Sequence, residues 1–106
     1  MKDDFFRRLD RNGYAPSLLQ TDNEKQCFVC YGNMHPQRHE IFHGSNREKS
    51  KMYGLWINVC PACHYLIHNG DGTLDKRLKV RGQEAAMTFY GWTESDFRKR
   101  FGKNYL

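Results

Sequence analysis

The sequence predicts a small α+β domain in which a zinc-stapled β-hairpin packs on one helix, with further helices on either side. Three observations carry that expectation. Two C-x2-C knuckles, Cys27 with Cys30 and Cys60 with Cys63, stand at the spacing of zinc ligands. Between and after them, short apolar and partly β-branched runs alternate with polar, glycine-bounded segments before helical periodicity takes over. The chain has 106 residues, of which 39% are apolar. That allows one domain with limited buried surface, for which a bound metal is a ready source of added stability.

The elements follow in chain order. Residues 3–11, "DDFFRRLDR", set Phe5, Phe6 and Leu9 on one face at helical spacing, and Gly13 and Pro16 interrupt that pattern. "KQCFVCYGN" places the first knuckle on a turn. "RHEIFHG" follows as a strand around Ile41 and Phe42, and "GSNREKSKMYG", residues 44–54, reads as a basic loop. "LWINV", residues 55–59, is the clearest strand pattern in the chain. Proline suits a first helical turn, so a helix is expected to start near Pro61 and to stop near Asn69 or Gly70. A longer helix is expected from Leu74 to Tyr90, capped by Thr73, with Leu74, Leu78, Ala85 and Phe89 facing the core and Gly82 weakening its middle. Thr93 caps a last helix, "ESDFRKRF", which Gly102 ends. Residues 1–106 thus read as a single domain, with a zinc-braced core over 27–68 and C-terminal helices over 73–101.

Seventeen Lys and Arg against twelve Asp and Glu give a net charge of +5. Such a surplus suits a polyanion, either nucleic acid or an anionic membrane surface. The opening "MKDDFFRRLDRNGY" has no apolar run of signal-peptide length, and no later segment is long enough to span a bilayer. The expected location is therefore inside the cell, with no membrane partner. In a reducing compartment four cysteines are expected to hold a metal rather than to form disulfides.

The ligand question turns on "VCPACHYLIHNG", residues 59–70, which holds Cys60, Cys63, His64 and His68 together. Four thiolates from the two knuckles would close a tetrahedral Zn2+ site, with residues 31–59 inserted between the pairs. His64 and His68 are then left over, four residues apart on one helix face, where a second metal could bind. The alternative is structural: His64 serves the zinc site, and His68 interacts with the carboxyl end of its helix. The insertion favours two metals. Its "RHEIFHG" carries Arg38, His39, Glu40 and His43, and a hairpin folded on the helix would bring the strand histidines toward the helical pair.

At "CFVC", "RHEIFHGSNR", "YGLWINVCPACH" and His68 the sequence resembles the HNH nucleases, the ββα-metal family. It is most similar to zinc-bound members encoded by phages and prophages, and the tail "DFRKRFGKNYL" is similar too. The resemblance implies a ββα-metal fold and metal-dependent endonuclease activity that hydrolyses DNA to 5′-phosphate and 3′-hydroxyl ends. It implies a structural Zn2+ on Cys27, Cys30, Cys60 and Cys63. A catalytic divalent cation, Mg2+ or Mn2+ with Zn2+ or Ni2+ as alternatives, would lie on His64, His68 and one of His39 and Glu40.

In the family an adjacent pair ends the first strand, the first residue binding metal and the second acting as general base. Kept in register, that makes His39 the ligand and Glu40 the base. Imidazole basicity near neutral pH and the affinity of hard cations for carboxylate argue for the opposite, so the division stays open, as does any part for His43. The family's middle Asn falls where this chain has Leu55, and Asn58 lies closer to the final histidine. Arg38, Arg47, Lys49 and Lys51, on or beside the basic loop, are candidates to hold the phosphate backbone without reading bases. The expected partner is DNA in a bacterial host's cytoplasm, with weak sequence specificity. A non-catalytic zinc-stapled module that binds nucleic acid, or an adaptor in a phage recombination or packaging complex, is the competing reading.

Overall fold

The computed structural model describes residues 8–21, 25–32 and 35–106. The expected helix over 3–11 falls mostly outside these residues, and its described end is not helical. There Asp10 instead closes a turn, its Oδ1 accepting from the backbone N–H groups of Asn12 and Tyr14.

Strand β1, Gln37–Glu40, pairs antiparallel with β2, Trp56–Val59, so that His39 faces Ile57 and Glu40 faces Trp56. Ile41 and Phe42, expected at the centre of the first strand, lie just past it and are fully buried, with the Ile41 N–H still donating to the Leu55 carbonyl. The stretch expected as a basic loop is ordered: a 3-10 turn at Gly44–Asn46 runs into α1, Arg47–Met52. Ser50, fully buried, fastens that return by donating to the Leu55 carbonyl and accepting from the Phe42 N–H.

Helix α2, Pro61–Asn69, starts where proline predicts it, with the Cys60 Sγ accepting from the Cys63 N–H as a thiol cap. Helix α3 spans Thr73–Tyr90, with Gly72 rather than Thr73 at its cap. Its buried face is Leu78, Gly82, Gln83, Ala86 and Tyr90; Leu74 and Ala85 are half-buried and Phe89 is exposed. Gly82 is the reason for that rotation. A Cβ there would meet the Phe42 ring at 3.0 Å and Ile41 Cγ2 at 3.1 Å, so the helix backbone itself packs on the segment after β1. Helix α4, Glu94–Phe101, carries a full capping box between Thr93 and Asp96 and ends at Gly102 in the left-handed region.

The core lies between the hairpin and these helices. Phe42 contacts Phe97, Phe101 and Tyr105, and Tyr53 contacts Tyr90 and Trp92. The architecture is a small α+β unit with a two-stranded antiparallel hairpin and, among the described residues, four α-helices. No helix among the described residues is long and apolar enough to cross a membrane.

Candidate metal centres

Two clusters of metal-ligating side chains flank the start of α2. In the first, the ligand atoms of Cys27, Cys30, Cys60 and Cys63 all lie within 4.8 Å of one another. The Cys30 and Cys60 sulfurs are 3.7 Å apart. A tetrahedron with Zn–S bonds of about 2.3 Å has sulfur-to-sulfur edges of about 3.8 Å, so the spacing fits zinc. The electrostatics point the same way. Burial pushes the Cys27 thiol up, yet backbone N–H groups of Cys30, Cys60 and Val29 outweigh it and bring the thiol down to about 6. Burial and the three neighbouring sulfurs push Cys63 up. A dication removes that conflict, because it lets all four sulfurs ionise together.

The second cluster is built from imidazoles. The ligand atoms of His39, His64 and His68 lie within 4.8 Å of one another, and the Nε2 atoms of His64 and His68 are 3.2 Å apart. Helical spacing brings His64 and His68 to one face of α2, and β1 lays His39 across them. His39 is 1% exposed, and its Nε2 has no hydrogen-bond partner among the described residues. An orphaned buried nitrogen is costly unless something binds it, and a cation held by three imidazoles meets that need. Burial first, then the neighbouring His64, His68 and His43, bring His39 down to about 4. Burial and His68 also lower His64. Both rings are therefore neutral near pH 7, the form that binds metal.

Gln37 supports this site. Its Oε1 lies 2.8 Å from His64 Nδ1. An amide oxygen only accepts, so Nδ1 carries the proton and Nε2 keeps its lone pair toward the cluster. A fourth ring completes the group: His43 sits 5.2 Å from His68 and 5.8 Å from His39 between ring centroids, and its Nε2 meets Asp75 Oδ1 of α3 at 3.0 Å. Gln37 was findable by period-two reading, being two residues before His39. Asp75 has no local signal, because only the packing of α3 delivers it.

Other expected site residues are placed elsewhere. Glu40 does not join the imidazoles. Successive strand residues point to opposite faces, and Glu40 accepts from the Tyr14 hydroxyl and from Arg47 Nε, the latter at 2.8 Å. Asn58 shares that opposite face, with its backbone N–H donating to Gln20, and Leu55 is core. The four basic candidates all have protein partners. Arg38 pairs with Asp10 at 2.9 Å and stacks over Tyr14 and Trp56. Arg47 holds Glu40, Lys49 donates to the Arg100 carbonyl at the end of α4, and Lys51 lies buried with its ammonium over the Tyr14 ring.

No family model, no curated protein and no solved structure matches the chain.

Proposed function

We propose that the chain is a divalent-metal-dependent endonuclease of the HNH type, with a ββα-metal core, that hydrolyses DNA phosphodiester bonds with weak sequence specificity. The observation that carries this reading is the convergence of His39, His64 and His68, with the orphaned His39 nitrogen among them, next to a separate thiol cluster. Zinc on four thiolates has no open coordination position and is a structural brace. Three imidazoles alone leave positions open for water and a phosphate oxygen, as a hydrolytic centre requires.

A cation bound there would polarise the phosphate and stabilise the charge that builds up on the leaving oxygen. The chain's own residues have distinct tasks. His39 is the buried ligand in this reading, and its place with His64 and His68 supports the imidazole over the carboxylate within the His39 and Glu40 pair. Gln37 keeps the His64 Nε2 lone pair available to the cation. His43 is the remaining imidazole beside the three ligands and is the group proposed to accept the proton of the attacking water, with Asp75 orienting its ring. Glu40 braces the N-terminal segment through Tyr14 rather than serving as base.

Glu40's engagement away from the imidazoles is also what favours the competing reading, a zinc-stapled nucleic-acid-binding module that cuts nothing. Nicking of supercoiled plasmid separates the two. With Mg2+ or Mn2+ the parent should convert it to open circle and then linear DNA, and His39→Ala and His68→Ala should not, while both variants keep zinc and fold. A parent inactive with every divalent ion, or a His68→Ala protein that loses zinc and unfolds, would overturn the endonuclease reading.

A further inference from the structure

The C-terminal tail, "GKNYL", is unexplained by the metal centres, yet its position is set firmly. Gln83, fully buried in α3, accepts from the Tyr105 N–H and donates to Asn104 Oδ1, both at 2.7 Å. This clamp holds the tail against the middle of α3, and the tail also lies beside the helix's first turns. Between tail and helix lies a cavity of about 490 Å³ lined by Asp75, Lys76, Lys79, Lys103, Asn104 and Tyr105, with Leu106 at its end.

We propose that this cavity is a docking site for the sugar-phosphate backbone of duplex DNA flanking the imidazole cluster. The inference rests on the DNA reading above and assigns to that site a second anchoring point. Its chemistry is cationic around an aromatic floor. The Lys79 and Lys103 ammonium groups stand 5.7 and 5.3 Å from the centre of the Tyr105 ring. Lys79 is paired with Asp75 at 2.9 Å, whereas Lys76 and Lys103 have no carboxylate partner among the described residues. Two uncompensated ammonium groups in the cavity lining, one of them, Lys103, beside the aromatic face, suit phosphates with a sugar between them.

Continuity with the metal site favours DNA over other polyanions. Asp75 is both a wall of the cavity and the partner of His43, whose ring abuts His68. A strand crossing the imidazoles therefore meets the lysines next. The basic residues nearer the hairpin, by contrast, are already committed to Asp10, Glu40 and the Arg100 carbonyl.

The test is binding of a short fluorescent duplex without added divalent ion, followed across a salt series. In Lys76→Gln/Lys103→Gln the affinity should fall about tenfold, and the slope of log affinity on log salt should flatten by about two units, one per lost phosphate contact. Arg98→Gln/Lys99→Gln removes the same charge from the exposed side of α4, outside the cavity lining, and should leave the slope nearly unchanged. Equal losses in both variants would overturn the proposal, since they would report net charge alone. Reductive methylation of the parent is the second measurement and involves no substitution. Bound duplex should protect Lys76 and Lys103 but not Lys99, and equal labelling with and without DNA would overturn the proposal. So would a parent that binds no duplex, or that binds anionic vesicles through these lysines in preference to DNA. A parent that binds with this protection but never cuts refutes the endonuclease reading and leaves the docking site standing. One that cuts while the Lys76 and Lys103 variant binds unchanged does the reverse.

Discussion

His39 and Glu40 are adjacent in sequence but serve opposite faces of β1: His39 lies with His64 and His68, and Glu40 is held by Tyr14 and Arg47. The two should therefore separate cleanly on substitution. His39→Ala should abolish binding of Co2+ or Ni2+ at the second site, read by titration calorimetry on zinc-loaded protein. Glu40→Gln should bind the ion as the parent does and lose about 1.5–3 kcal/mol of stability through its weakened charged hydrogen bonds. Loss of ion binding in Glu40→Gln would mean that the carboxylate reaches the metal.

The thiol cluster should be a condition of folding. Replacing Cys27 or Cys60 by Ser is expected to eliminate bound zinc and the cooperative melt together, because the binding energy of a closed structural site is also folding energy. Metal analysis and circular dichroism on the same sample check this. A Cys60→Ser protein that melts like the parent would exclude the site.

Acid should weaken the fold through His39. Its pKa is lowered from 6.5 to about 4 in the folded protein, so the unfolded chain binds the additional proton between those values. Stability is then full above about 6.5 and falls as pH drops toward 4. Unfolding by urea at several pH values, without added catalytic ion, should give a shallower acid limb in His39→Gln than in the parent. Parallel limbs would show that the folded protein does not hold this imidazole neutral.

Gly82→Ala should destabilise although alanine is the better helix former. The gain of about 1 kcal/mol in propensity is opposed by a methyl group meeting Phe42 and Ile41 at 3.0–3.1 Å, where overpacking costs about 1–3 kcal/mol. A raised melting temperature would mean that the segment after β1 yields easily.

What the sequence determined by itself was local. The knuckle spacing picked out the four thiols that cluster, proline and the i, i+4 histidines marked α2 and the face on which its two imidazoles meet, and Thr93 with Gly102 bounded α4. Each is a signal written within a few residues, where backbone geometry alone fixes which side chains share a side. Tertiary structure decided the rest. The pairing of β1 with β2 sent His39 one way and Glu40 the other, the packing of Tyr14 covered Lys51, and the docking of α4 and α3 gave Lys49 a carbonyl partner and brought Asp75 to His43. Those partners stand far apart in the chain, and a side chain's task there depends on which surface the packed elements leave open, which no local pattern of residues encodes.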